Sequence, residues 1–340
     1  MNLSHPGARL SDADVIARCR RLVEPAMRAA VEGLHPWGAA MVSYSLGWSD
    51  ATGRPDEGTG GKSVRPALAI LSAEAVGGTA EQALPGAVAI ELVHAFSLVH
   101  DDIIDQDEQR RHRDALWKAY GVGPALLAGD ALLALAVARL ADRPEAMRHL
   151  SAALVELVQG QTADMAFESR PWSGPEEVSV AEYTQMAAGK TGSLLGAATA
   201  AGVALGGRPD LSERMWRMGV ELGVAFQIAD DMLGIWGDPQ VTGKPVHGDL
   251  RLRKKTVPVL AALGSGEPAA GRLADALASG ETDDATLTLA ACLIEEAGGR
   301  TIADRLAARH LKAALDVLDE CLPDAVELRE LCVSLAGRAR

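Results

Sequence analysis

The chain has 340 residues, 33 of them basic and 46 acidic, for a formal net charge of −13. That balance argues against a nucleic-acid partner, because counterion release from phosphates needs a basic face. Hydrophobic residues make up 48% and aromatics only 4%, a mix dominated by alanine and leucine that favours helices over strands.

Residues 1–20 contain Asp12 and Asp14 and no apolar core of a leader, so a secretory signal is not expected and a flexible extension is. Glycine and proline clusters at 52–61, 77–86, 170–175, 206–209 and 264–271 mark loops between long helical stretches. Gly60, Gly61 and Pro66 frame the start of a helix that runs to Ala75 and stops at Gly77-Gly78. A second helix is expected from about Pro85 to Asp105, apolar until its last turn. Segments 124–142, 146–168, 179–205, 210–237 and several between 268 and 337 read the same way. The most apolar of these, Ala125 to Ala141, is interrupted by Asp130 and Arg139 and falls short of the ~20 residues of a membrane span, so no integral membrane segment is expected. With no long linker and no repeat of roughly 20–50 residues, the expectation is a single all-α domain over 1–340, an irregular bundle of about ten or more helices. Cys19, Cys292, Cys321 and Cys332 show neither metal-ligand spacing nor disulfide density, which predicts buried thiols in a reducing cytoplasm.

Two places break the apolar pattern with carboxylates. In Leu98-Val99-His100-Asp101-Asp102-Ile103-Ile104-Asp105, Asp101 and Asp105 are i and i+4 and share a helical face. Like charges near a helix C-terminus are destabilising unless a cation is present, and Mg²⁺ commonly takes one or two carboxylates with phosphate oxygens and water completing its shell. Downstream, Arg110 and Arg111 supply two guanidiniums whose forks match phosphate. Taken alone, the cluster is equally an acidic helix end followed by a solvated loop. The second cluster repeats the logic: Phe226-Gln227-Ile228-Ala229-Asp230-Asp231 ends in a Gly-Asp-Pro turn, then Thr242-Gly243-Lys244-Pro245, Asp249 and Arg253-Lys254-Lys255-Thr256. Carboxylates alternating with lysines suit a metal and a pyrophosphate held between them.

These motifs, with Gly60-Gly61-Lys62-Ser63-Val64-Arg65-Pro66 and Gly189-Lys190-Thr191-Gly192, resemble in order those of the trans-isoprenyl diphosphate synthases, the polyprenyl synthetase family, over roughly residues 20–335. The sequence departs from that pattern at Gly234, where a third aspartate is usual, and at His112 and Asp114, where glycine and proline are usual. The resemblance implies the isoprenoid synthase fold, helices around a central cavity, and a prenyltransferase that joins isopentenyl diphosphate to an allylic diphosphate, releasing pyrophosphate. It implies that Gly61, Lys62, Arg65, His94 and Arg111 hold isopentenyl diphosphate. Asp101, Asp105 and Asp230 would bind Mg²⁺, about three ions with substrate present. Arg110, Lys190, Lys244 and Lys254 would assist the allylic diphosphate, while Thr191, Gln227 and a carbonyl near Lys190 would stabilise the carbocation. Gln161 and Asp164 resemble a supporting polar pair of the family. Each residue has a plainer reading beside this one: Lys62 and Arg65 as a solvated edge, His94 as a core histidine, Gln161 and Asp164 as an exposed helix face.

Ser97 lies one turn before Asp101, about 6 Å down the helix, and Phe96 beside it makes a floor that by family analogy sets a product of about 15 to 20 carbons, or is ordinary core packing. The family also implies a cytoplasmic homodimer. Three rivals remain: a terpene cyclase on the same scaffold, a non-catalytic subunit of a heteromeric synthase, and a helical structural protein with fortuitous acidic helix ends, which would leave the interleaving of carboxylates and cations in apolar helices unexplained.

Overall fold

A computed structural model describes residues 11–56, 63–238 and 246–337, and these are almost entirely helical. The chain divides into two compact units.

Unit 1 takes residues 1–147, 201–209 and 325–331. It begins with α1 (Asp12–Glu32), whose capping box pairs Ser11 with Asp14 and whose residues Val15, Cys19, Val23, Met27 and Val31 bury one stripe. Residues 12–20, where the sequence left room for an extension, thus form the first turns of this helix. α2 (Pro36–Ser45) and α3 (Val64–Ala75) follow, then α4 (Ala80–Ile104). α4 starts five residues before the expected Pro85, because Thr79 and Gln82 close a capping box; Pro85 sits in the second turn and forgoes one backbone hydrogen bond. Ala87, Val88, Ala89, Ile90, Leu92 and Val93 are all fully buried, so the middle of α4 is core on every side, packed against α3 and α6 (Val122–Arg139). Between them lie a two-residue ladder, β1 (Gln109–Arg110) with β2 (Arg113–Asp114), and the short α5 (Leu116–Tyr120). The ladder is a small departure from the strand-free expectation.

Among the described residues two helices reach the length and mean hydropathy of a membrane span, α4 at 1.4 and α6 at 1.5. α4 belongs to the core just described. α6 is 18 residues long, includes the Asp130 and Arg139 that interrupt its apolar run, and leaves Val122, Leu126, Leu127 and Val137 exposed.

Unit 2 takes residues 148–200, 210–324 and 332–340. Most of α7 (Pro144–Glu168) lies here, followed by α8 (Val180–Ala187), a π-helical segment at Ala188–Gly192, α9 (Ser193–Leu205) and α10 (Ser212–Trp236). Then come α11 (Gly248–Arg251), α12 (Val257–Leu263), α13 (Pro268–Ser279), α14 (Asp284–Glu296) and α15 (Gly299–Cys321), and the second half of α16 (Val326–Ala336), whose first half belongs to unit 1. α10 is the axis of this unit. Its Val224, Ile228 and Met232 pack with Tyr183, Met186, Val257, Leu260, Ala303 and Leu306. Two of the four thiols correct the all-buried expectation: Cys19 and Cys332 are buried, whereas Cys292 is exposed and Cys321 partly so.

Candidate active site

The first acidic cluster lies in unit 1, where α4 emerges from the core. Asp101 is half-buried, Asp102 buried and Asp105 exposed, and the Asp105 amide caps the helix on the Asp101 carbonyl at 2.8 Å. Asp102 turns inward and accepts from Arg110, Nε at 2.6 Å and Nη2 on the same oxygen. Burial pushes the Asp102 carboxyl up and the guanidinium opposes it. Asp101 and Asp105 are left on the face that the i, i+4 spacing predicts, and Arg110 is engaged by the aspartate between them.

The strand turn after Asp105 shows the backbone that the histidine at 112 has to adopt. Arg111 and His112 have φ of 52° and 63°, the two left-handed positions of a type I′ hairpin that a glycine adopts without strain. This turn holds Arg111 beside Arg110 at the edge of a cavity of about 310 Å³, whose wall also carries Tyr44, Glu91, His94, Asp102 and Arg113. Arg113 stacks on the Tyr44 ring at 4.1 Å, and the Tyr44 hydroxyl donates to the Asp114 carbonyl at 2.7 Å, fixing the hairpin to α2. Burial, then Arg65 and Arg111, hold the His94 imidazole well below its ordinary pKa, so it is neutral at physiological pH. Burial raises Glu91, which Arg65 and Arg111 oppose. Nε of Arg65 is buried with no hydrogen-bond partner among the described residues. Arg65 and Arg111 both act on His94 and Glu91, so the four share one neighbourhood; Gly61 and Lys62 lie outside the described residues. Glu91 was missed, although it stands three residues before His94 on the same helical face.

Phe96 meets His100 edge-on at 4.6 Å between centroids, and Ser97 Oγ donates to the His94 carbonyl at 3.0 Å. Neither is fully buried.

The second cluster lies in unit 2. Here α7 and the segment after α8 approach so closely that a Cβ on Gly160 would overlap the Lys190 amide and sit 2.8 Å from the Gly189 carbonyl carbon. One on Gly189 would lie 2.7 Å from the Glu156 carbonyl oxygen. Against this contact the helix widens into the π segment that carries Lys190 and Thr191. Lys190 Nζ donates to Asp164 Oδ2 at 2.6 Å. Thr191 Oγ1 donates to Gln227 Oε1 at 2.7 Å, and Gln227 Nε2 donates to Asp231 Oδ1 at 3.0 Å. Asp231 also accepts from the Tyr183 hydroxyl at 2.9 Å and from the Val257 amide at 3.2 Å. Burial pushes its carboxyl up to about 7, partly offset by the Gln227 and Tyr183 hydrogen bonds.

The paired aspartates thus divide their work: Asp231, 2% exposed, anchors a buried network, while Asp230 is exposed beside it. Lys254 is exposed as well, and Lys255 is buried with its ammonium 4.4 Å over the Trp172 ring. Lys244 lies outside the described residues. Gln161 Oε1 is buried without a partner among the described residues, on the same helix as Asp164. Tyr183 had no signal in the sequence, because its hydroxyl bonds Asp231, 48 positions away. Among the described residues no three His, Cys, Asp or Glu side chains gather closely enough to hold a metal by themselves. Hard carboxylate oxygens in ones and twos fit a divalent ion that takes the rest of its shell from phosphate and water.

Residues 57–293 match the polyprenyl synthetase family. The (2E,6E)-farnesyl diphosphate synthase of Mycobacterium tuberculosis is 44% identical over 337 residues, covering 95% of this chain and 92% of that protein. A polyprenyl synthetase from Streptomyces coelicolor A3(2) superposes with a TM-score of 0.89 at 43% identity, covering 97% of this chain and 99% of the other. The geranylgeranyl pyrophosphate synthase of Corynebacterium glutamicum, solved with isoprenyl diphosphate and magnesium, superposes with a TM-score of 0.77 at 26% identity, covering 96% and 98%.

Proposed function

The chain belongs to the polyprenyl synthetase family, and on that premise we propose how its residues serve the trans-prenyltransferase reaction of that family. The enzyme condenses isopentenyl diphosphate with an allylic diphosphate to give a short-chain trans-prenyl diphosphate and pyrophosphate. The observation that supports the site assignment most directly is the end of α4, where Asp101 and Asp105 share one face and Asp102 holds Arg110 against the same turn.

Arg65 and Arg111 bind the diphosphate of isopentenyl diphosphate, with Gly61 and Lys62 from the segment before α3. His94, held neutral, serves there as a hydrogen-bonding group and not as a charge. The arginines are pre-oriented forks, the Arg65 Nε still unsatisfied. Retention of this basic set favours coupling over a cyclase, which needs no second diphosphate.

Asp101, Asp105 and Asp230 take the divalent ions, Mg²⁺ by analogy with the magnesium-bound relative, about three in number with substrate present. Bound Mg²⁺ would neutralise charge developing on the departing diphosphate. Arg110, Lys190, Lys244 and Lys254 add cations to that diphosphate. Pairing fixes two of them in advance, Arg110 on Asp102 and Lys190 on Asp164, so little reorganisation is left for the ionisation step. Thr191 and Gln227 present oxygen atoms from the π segment and α10 to the allylic cation, and the chain Thr191–Gln227–Asp231 locks the amide orientation. The departing pyrophosphate takes the proton, since no side chain of the set is a better placed base.

Phe96 floors the tail channel along α4 and sets the product at farnesyl to geranylgeranyl length. The exposed Val122, Leu126, Leu127 and Val137 of α6 form the contact face of a homodimer, which the cytoplasm would hold in solution. Mass spectrometry of products from the purified chain, given isopentenyl diphosphate, each short allylic primer and Mg²⁺, tests the reading. Prenyl diphosphate one to three units longer than the primer is expected, according to the primer; hydrocarbon from primer alone, or no turnover by the single chain, overturns it. Sedimentation velocity decides the dimer, with Leu127→Glu expected to give monomer.

A further inference from the structure

The sequence marks the loop between α7 and α8 only by its glycine and proline, yet hydrogen bonds define it closely. Arg170 draws it shut: Nε donates to the Glu176 carbonyl at 2.8 Å, Nη2 to the Glu177 carbonyl at 2.6 Å, and Nη1 to Glu182, in the first turn of α8, at 2.7 Å. Trp172, on the same loop, packs its half-buried indole against the apolar cluster that contains Ile235, Leu250 and Leu277.

That indole carries two cations from the chain just after α11. The Lys255 ammonium stands 4.4 Å from the ring centroid and the Arg253 guanidinium 6.0 Å. Lys255 is buried, and burial, then Arg253 and Arg170, push its pKa down while Glu168 opposes them. An ammonium so placed loses most of its water, and the negative face of the ring offsets part of that cost. Arg253 has φ of 56°, a left-handed conformation that a residue other than glycine keeps only where its surroundings hold it. Its Nη1 lies 3.5 Å from the place a Cβ on Gly280 would take, at the C-terminal end of α13, where a cation is favoured.

Between these two held cations stands Lys254, exposed. Its amide donates to the Asp249 carbonyl at 2.9 Å, and its carbonyl accepts from the Thr256 amide at 3.2 Å. The Val257 amide then reaches Asp231 at 3.2 Å. The segment is tied on one side to the second acidic cluster and on the other to Trp172, and neither tie uses the Lys254 side chain.

We propose that Trp172 is a positioning residue for prenyl transfer: its ring clamps Arg253 and Lys255, so that the ammonium of Lys254 between them is presented to the allylic diphosphate. The inference rests on the assignment of Lys254 to that diphosphate above. Three consecutive cations on long, flexible stems repel one another, and fixing two of them narrows the directions open to the third. Trp172 itself touches no ligand.

The test is a double-mutant cycle on the full chain with Trp172→Leu, Lys254→Ala and both together. The probe is inorganic pyrophosphate titrated in Mg²⁺ by calorimetry, alongside thermal melting and the KM for each substrate. Lys254→Ala is expected to weaken binding about tenfold, the range of one hydrogen bond to a charged group. Trp172→Leu is expected to weaken it about fivefold, within what a cation–π contact supplies. The double variant should bind no more weakly than Lys254→Ala, because both changes remove one interaction. Trp172→Phe, which keeps a ring face, should recover most of the loss. A ring-fluorinated tryptophan at position 172, which keeps the volume and loses the negative face, should not, and it carries the comparison if Trp172→Leu fails to fold. The KM for the allylic diphosphate should rise with these losses while that for isopentenyl diphosphate stays unchanged, a split that general loosening of the fold would not give. Wild-type affinity with the fluorinated ring or with Trp172→Leu, or losses that multiply in the double variant, would overturn the inference alone. Wild-type affinity in Lys254→Ala would remove the assignment of Lys254, and the inference with it.

Discussion

Gly160→Ala sets two physical effects against each other with opposite signs. Residue 160 is inside α7, where exchanging glycine for alanine stabilises a free helix by about 1 kcal/mol. In this fold the added methyl would overlap the Lys190 amide and stand 2.8 Å from the Gly189 carbonyl carbon, where ordinary contact begins at 3.4 Å. The two backbones must then part by at least about 0.6 Å, and neither atom is a side-chain tip that can swing aside. Overpacking of this kind costs about 1–3 kcal/mol, so the net change is a loss of roughly 0–2 kcal/mol. The larger effect falls on the chemistry. The π segment that would be pushed carries Lys190 and Thr191, and a misplacement near 1 Å lowers rates by about 10²-fold. A fall in kcat of roughly tenfold or more is expected, with the melting point unchanged or lower by a few degrees. Steady-state product formation and thermal melting of the purified variant measure both. A higher melting point with unchanged kcat is what helix propensity alone predicts, and it would refute the close-approach argument.

Three further outcomes follow from other contacts. Asp102→Asn takes the charge from the Arg110 partner and should destabilise the chain by about 1–3 kcal/mol in urea, the lower end applying because the guanidinium is partly in water; an unchanged midpoint refutes the pair. His94 has its folded pKa depressed, so its contribution to stability is complete above the unfolded pKa near 6.5 and is lost as pH falls below it. Its ring resonances should show no titration between about pH 6 and 8, and a midpoint in that window would contradict a neutral imidazole. Phe96→Ala should lengthen the product by one or more isoprene units if the ring closes the channel, whereas an identical product spectrum would return Phe96 to ordinary packing.

Much of this protein is determined by local sequence. Alanine- and leucine-rich stretches with buried residues four apart, as in α1, commit the chain to helices, and three capping boxes fix where α1, α4 and α8 begin. The i, i+4 spacing of Asp101 and Asp105 follows from helix geometry alone, as does the nearness of Glu91 to His94. The exceptions are local too: Pro85 misled the start of α4 because the Thr79–Gln82 capping box fixes the beginning more than one turn earlier and the helix bears the one hydrogen bond that Pro85 forgoes.

What the tertiary structure alone decided is which member of each acidic pair faces in. Asp101 and Asp102 are neighbours of one type, as are Asp230 and Asp231, and a period of 3.6 residues only says that they point about 100° apart. Arg110 selects Asp102, and Tyr183 with the Val257 amide selects Asp231, through partners 8, 48 and 26 positions distant. Gly234 reads in the sequence as a missing aspartate; only the return of α11 to α10 shows that a carboxylate from position 249 stands there. Such pairings depend on where chain segments meet after the core has closed, and no local propensity encodes them.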